Sequence, residues 1–257
     1  MNSQLLEPVA LVGIACEFPG DIHSPADLWD ALVQSRDLSS DIPAERTDLL
    51  SYCAHILNQD GGDLQANLIR RGYFLSTSSY DTFEPSFFGL SDGEASTIDP
   101  CHRLLMLKLV HLLEDAGYPL EKVRGSRTSV HIGQYSNDHM LASGQLELEN
   151  RTRFHWLNTS INNASARLSY HFDLRGPSLT LDTACSSSLQ AVHLAVQTLR
   201  GGEADMAICG GVNTVYTPDQ LFNYSLFGPV STDGRSRSFS MDANGYAKGQ
   251  LDQICFS

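Results

Sequence analysis

The chain has 257 residues, room for one or two domains at about 150 residues each. Its 42% apolar and 18% charged residues, with glycine and proline near average usage, exclude collagen-like and low-complexity classes. Thirty acidic residues against 17 basic ones give a net charge of −13, the wrong sign for affinity built on neutralising phosphates, so neither nucleic acid nor an anionic membrane is expected as a partner.

The most apolar stretch, Leu104 to Leu113, carries Lys108 and His111 and is far short of the roughly 18 residues a spanning helix needs. No basic segment precedes the first apolar run, so a secretory leader is not expected and a cytoplasmic location is. The six cysteines, at 16, 53, 101, 185, 209 and 255, form no C-x-x-C pair and read as reduced thiols.

In chain order, Val9 to Cys16 reads as a buried strand. Ser24-Pro25-Ala26-Asp27 opens a helix with Ser24 as N-cap, Pro25 at the first helical position and Asp27 closing a capping box. Its apolar face carries Leu28, Ala31 and Leu32. From Ser39 to about Leu75 no clean period exists, and Gly61-Gly62 marks an irregular insertion. Asp99-Pro100 starts a long helix with Leu105, Leu109, Leu112, Leu113 and Ala116 on one face, stopped at Gly117 with Pro119 beyond. A strand at Thr128 to Gly133, a helix at Asn162 to Phe172 and a turn at Asp173 to Pro177 come next. Then come a strand at Ser178 to Thr183, a helix at Ser186 to Arg200 stopped by Gly201-Gly202, and a strand at Ala204 to Val212. Strands separated by helices of this length imply crossover connections and a largely parallel α/β sheet covered on both faces.

The junction Asp182-Thr183-Ala184-Cys185-Ser186-Ser187-Ser188 is where chemistry is expected. A strand runs through small residues straight into a helix. A cysteine there meets unpaired backbone N–H groups and the positive end of the helix dipole, which favour thiolate over thiol. The same N–H groups suit an oxyanion formed during acyl transfer, and the small neighbours leave room for a substrate. A plain buried thiol is the competing reading. Cys16 and Cys209 lie in apolar runs and read as structural, and Cys53, Cys101 and Cys255 have no helix-terminus context. His193, eight residues on in the same helix, is about 12 Å along the axis and cannot touch Cys185. No zinc-protease, phosphate-loop, dinucleotide or serine-elbow motif is present. The residues by themselves yield a candidate thiolate without a partner.

The Asp182 to Ser188 segment resembles the active-site motif of the β-ketoacyl synthases of type I polyketide and fatty acid synthases. Pro8 to Gly20, Leu28-Trp29, Asp99-Pro100 with Arg103-Leu104-Leu105, and Glu114 to Gly117 resemble the same family in the same order. So do Gly176-Pro177-Ser178, Gly201 with Glu203, Gly210-Gly211-Val212, Asp233-Gly234-Arg235 and Asp242 to Tyr246. The resemblance spans residues 8–249 and implies the N-terminal half of a thiolase-like layered α/β fold, normally paired as a homodimer. It implies that Cys185 accepts an acyl chain from the phosphopantetheine of an acyl carrier protein. A malonyl-type extender on the carrier then loses CO₂ and attacks the Cys185 thioester. No bound cofactor or metal is implied, and the partners are the carrier and the other synthase domains.

Three features depart from the family. The family places two catalytic histidines, one in a His-Gly-Thr motif, and a glycine-rich oxyanion segment in a half that continues past residue 249; no His-Gly-Thr occurs here. After Lys248-Gly249 the family reads Glu-Gly, whereas this sequence reads Gln250 to Ser257, expected to be an aberrant tail outside the domain. Cys101 also stands where glutamine is common. Three functions stay open: a condensing ketosynthase, a chain acylated at Cys185 that binds synthase subunits without condensing, and an acyl-thioester hydrolase.

Overall fold

A computed structural model describes residues 7–43, 51–52, 55, 68–76, 82–215, 217–249 and 251–256. Most of the irregular insertion expected at 39–75, and Cys53 with it, lies outside the described residues. What is described there includes a two-residue pairing, β2 (Ser40–Asp41) antiparallel to β3 (Arg71–Gly72), and the buried Leu68 and Ile69.

The body is a five-stranded sheet made of β1 (Gly13–Glu17), β4 (Thr128–Gln134), β5 (Ser178–Leu181), β6 (Met206–Asn213) and β7 (Leu251–Phe256), in spatial order β1-β7-β6-β4-β5. β4 runs parallel to both β5 and β6, as the helix-length crossovers require. β7 is antiparallel to β1 on one side and to β6 on the other. Residues 251–256, part of the 250–257 segment read from sequence as a tail, pair on both sides as β7. Among the described residues, 251–256 lie between β1 and β6, which share no other partner.

Five of the described helices build the core and the site. They are α1 (Pro25–Val33), α2 (Pro100–Asp115), α3 (Asn163–His171), α4 (Ser187–Arg200) and α5 (Pro218–Phe227). α1 begins as its sequence directs, with the Ser24 hydroxyl accepting from the Asp27 amide at 3.2 Å. α2 is capped by Asp99, whose carboxylate accepts from the Cys101 amide at 2.8 Å. α2 crosses one face of the sheet, buried nearly all round. Leu105, Leu109 and Leu112 are fully inaccessible and pack with Val130, Ile132, Ile208 and Val212, while Ala164, Leu168 and Phe172 join from the α3 side. A fully buried leucine contributes about 1.5–3 kcal/mol, so this cluster is the main source of stability.

The opposite face is built differently. Apart from His131, the β4 and β6 residues that meet α4 are small, and α4 settles there through Ala191 and Ala195 against Ala207 and Cys209. An added Cβ at Gly133 would lie 2.6 Å from the Ser187 Cβ, and one at Gly211 would lie 2.8 Å from the Ser188 Cβ. Glycine is therefore what lets the first turn of α4 touch the sheet.

A buried ion pair ties β1 to α2: Lys108 Nζ stands 2.6 Å from Glu17 Oε2, and His23 Nδ1 lies 2.8 Å from Glu17 Oε1. Two sequence expectations are corrected nearby. The first strand begins at Gly13 rather than Val9, and Leu11 is 55% exposed, because the pairing with β7 ends at Gly13 and, among the described residues, no strand pairs with those before it. On α1 only Ala31 is buried and Leu32 is 65% exposed, since one narrow line of the helix meets β1.

Candidate active site

The turn between β5 and α4 is tight and internally braced. Asp182 Oδ1 accepts from the Ala184 amide at 2.8 Å, and Ser187 Oγ accepts from the Thr183 amide at 2.8 Å. The Ser187 hydroxyl in turn donates to the Ala184 carbonyl at 2.7 Å, and that of Ser186 donates to the Thr183 carbonyl at 2.7 Å. Short hydroxyl side chains are needed because each closes a ring over two to four residues. Ala184 sits at φ +55°, a left-handed conformation that costs a non-glycine residue about 1–2 kcal/mol. Backbone strain of this kind persists only where the surroundings over-determine it. Here it turns the chain so that Cys185 projects from the sheet edge while Ser187 tucks under it.

Cys185 is exposed, whereas Cys16, Cys101 and Cys209 are buried. The cap residue of α4 is Ser186, at φ −93° and ψ 0°, with no side-chain capping bond. The sulfur-bearing residue thus stands directly before a 14-residue helix whose first amides are not claimed by a cap side chain. The turn bonds engage the amides of Thr183, Ala184, Ser186 and Ser187. The expectation for this junction, a strand entering a helix through small residues with the thiol at its mouth, matches the geometry.

A cavity of about 740 Å³ opens over the sulfur, within the range of small-molecule sites. Its floor is the first turn of α4 with Gly133 and Gly211. Tyr135 and Asn213 close the end where β4 and β6 stop, and Gln220, Asn223, Tyr224 and Phe227 of α5 form a wall. Tyr246, Lys248 and Gly249 complete it. The segment that delivers the last three is held by parallel bridges, Val230 to Tyr246 and Tyr73 to Gly249. Farther back along it, Arg237 forms an ion pair with Asp233. Hydrogen bonds from Arg237, Ser231 and Asn244 hold the Asp233 carboxyl well below the usual range. The lining is mostly apolar and aromatic with a few amides, the composition of a site that grips a chain and orients one polar group.

The other sequence candidates fall away on position. Cys101 is buried against Thr214, its sulfur 3.1 Å from Oγ1, and burial with Asp99 beside it pushes the thiol up, so it stays protonated. His193 is exposed on α4. His102 is enclosed in the core, where burial holds it down to about 3. His131 lies under α4, its Nε2 3.4 Å from the Thr198 hydroxyl. No histidine lines the cavity among the described residues. Sequence reasoning missed the α5 wall and Lys248, which reach Cys185 from 35 to 63 positions away and share no local pattern with it. Gly133 could have been found: it lies on the strand that must receive the helix.

Among the described residues, no helix is long and apolar enough to cross a membrane.

Comparison with known proteins agrees with this geometry. Residues 6–250 match the family model described as β-ketoacyl synthase, N-terminal domain. The cyclo-acetoacetyl-L-tryptophan synthase of Aspergillus oryzae is 41% identical over 243 residues, covering 95% of this chain and 6% of that protein. A highly reducing polyketide synthase of Cladosporium cladosporioides, cla2, is 42% identical over 247 residues, covering 95% of this chain and 10% of its own length. The solved oxazolomycin ketosynthase domain OzmH KS7 of Streptomyces albus JA3453 superposes with a TM-score of 0.82 at 32% identity, over 96% of this chain and 41% of that one. The chain thus spans a small part of its curated relatives and under half of a solved ketosynthase domain. With the family model covering nearly the whole chain and the thiol standing at the strand–helix junction, the chain belongs to the β-ketoacyl synthase family, as its N-terminal, thiolase-like α/β part.

Proposed function

We propose that Cys185 is the acyl acceptor of a polyketide-type ketosynthase. The observation that carries this reading is an exposed thiol held before the α4 N-terminus by a strained turn, under a cavity large enough for an acyl chain. The Cys185 thiolate attacks the carbonyl of an acyl thioester borne by the phosphopantetheine of an acyl carrier protein. The negative charge passes to the carbonyl oxygen, where main-chain N–H groups at the helix mouth can accept it. Collapse of that intermediate releases the phosphopantetheine thiolate and leaves the acyl group on sulfur. In the second half-reaction a malonyl-type extender on the carrier loses CO₂. The electron pair so released forms the new carbon–carbon bond to the Cys185 acyl carbon, and the sulfur leaves as thiolate. The product is a β-ketoacyl chain on the carrier.

A second reading has its own support. No histidine lines the cavity among the described residues, so the groups that would stabilise an enolate come from elsewhere. We therefore assign acyl loading to the residues described, and condensation to an assembly that includes the carrier, the remaining synthase domains and a second copy paired in a homodimer. β5, an outer strand with Leu179 47% exposed, offers an edge for such pairing.

Incubation with acyl and malonyl thioesters of a carrier, read by intact-protein mass spectrometry and CO₂ release, separates the readings. Acyl mass on Cys185 without CO₂ supports loading alone. β-Ketoacyl carrier with CO₂ supports the complete reaction. Multiple turnover to free acid with no adduct marks a hydrolase, and a Cys185→Ala chain that loads equally well overturns the assignment.

A further inference from the structure

The Cys185 cavity contains a cation that acyl loading, as described, does not use. Lys248 shares its lining with Cys185, and its main chain is fixed on both sides. The Lys248 carbonyl accepts from the Tyr73 amide at 3.0 Å, and the Ala247 amide donates to Ser236 Oγ at 2.9 Å. The ammonium lies 3.9 Å from the Tyr224 ring centroid. That ring is steadied by Gln220, whose Nε2 donates to the Tyr224 hydroxyl at 3.1 Å. A cation over an aromatic face is held there by the ring quadrupole, so the charge is parked at the wall of the cavity.

No carboxylate, arginine or histidine is among the lining residues. The titratable groups facing the ammonium are Tyr246 on its own segment, Tyr224 on α5 with Asp138 behind it, Tyr135 at the end of β4, and Cys185 at the mouth of α4. Burial lowers the lysine, while Tyr246 and Cys185 oppose that shift. Burial also pushes Tyr224 up, keeping the phenol neutral. A cation in a largely apolar cavity is best matched by whichever neighbour becomes an anion there, and the sulfur is that neighbour.

We propose that Lys248 is a positioning residue for Cys185, its ammonium held over Tyr224 as the counter-charge of the thiolate that takes up the acyl group. No bond forms to nitrogen, and the proton leaving sulfur passes to solvent. The proposal rests on the acyl-acceptor reading of Cys185, and two readouts keep them apart.

The first readout is the pH profile of Cys185 carbamidomethylation by iodoacetamide, followed by peptide mapping, in the 257-residue chain and its Lys248→Met and Lys248→Arg variants. The methionine variant is expected to move the midpoint up by about half a pH unit or more, roughly a threefold loss of rate at pH 7, with arginine restoring the profile. Superposed profiles for the unsubstituted and methionine chains overturn the proposal. The second needs no substitution and decides the matter should Lys248→Met fail to fold. The rate ratio of anionic iodoacetate to neutral iodoacetamide at Cys185 is expected to exceed that of N-acetylcysteine by about twofold or more. An equal or lower ratio overturns the proposal. Acyl loading from an acyl thioester is measured alongside. Loading with superposed profiles sinks the role of Lys248 alone, whereas a shifted profile without loading sinks the acyl-acceptor reading and leaves the charge pairing standing.

Discussion

Two buried ionisable groups of α2 show how position overrides a residue's ordinary chemistry. Asp99 is both the N-cap of α2 and almost wholly buried, and burial, reinforced by Asp138, pushes its carboxyl up to about 7 from 3.8. The unfolded chain then releases this proton at lower pH than the folded chain does. The stability linked to Asp99 is therefore fully present below about pH 4 and is lost as pH rises through about 7. Chemical denaturation between about pH 4 and 8 should show that decline, and Asp99→Asn, which keeps an acceptor for the Cys101 amide, should flatten it. A second test concerns Lys108 and Glu17, whose side chains are only 5% and 6% exposed. Lys108→Met removes the lysine partner of the buried Glu17 carboxylate, leaving the His23 contact, and should cost about 3 kcal/mol in urea unfolding, far more than loss of an exposed pair. Neither effect is readable from sequence. Lys108 sits at a helix position where a solvated lysine is the ordinary expectation, and only the tertiary approach of β1 buries it.

At the scale of elements, the sequence is most legible where local rules suffice. Ser24 and Asp99 announce their helices, Gly117 and Gly201 end theirs, and the three parallel strands emerge from apolar runs between helices. The Cys185 turn is legible for the same reason, since the order strand, small residues, helix is itself local. The first strand starts later than its apolar run predicts, because apolar character at Val9 to Val12 does not say which neighbour will pair there. The seating of α4 is not legible either. Gly133 and Gly211 matter only because Ser187 and Ser188 lie against them across the sheet. Gly133→Ala and Gly211→Ala should each push the first turn of α4 off the sheet. We expect a loss of about 1–3 kcal/mol in thermal or urea unfolding, with slower alkylation of Cys185 as its turn relaxes. A glycine substitution at the exposed Gly144, which has open space around it, serves as the control and should leave both unchanged.

The whole molecule is a sheet with two unlike faces. One face is a conventional core under α2. The other, formed by Gly133, Gly211, Ala207, Cys209 and His131, carries α4, with the cysteine at its tip and Leu189 72% exposed on its outer side. The cavity assembles from segments distant in sequence, which is why the residues that shape it escape a reading by motif. β7 completes this architecture, because without residues 251–256 β1 and β6 lose the strand that lies between them. A chain ending at Gly249 should consequently lose cooperative unfolding in calorimetry, whereas a dispensable tail would leave the transition unchanged.

The most direct test of the central assignment is the site of acylation. The chain would be incubated with an acyl-phosphopantetheine thioester and mapped by peptide mass spectrometry. A single acyl group on Cys185, absent from Cys185→Ala and with Cys16, Cys101 and Cys209 unmodified, is the result expected from an exposed thiol at the helix mouth. Acylation spread over other cysteines, or none on Cys185 in the folded chain, would contradict it.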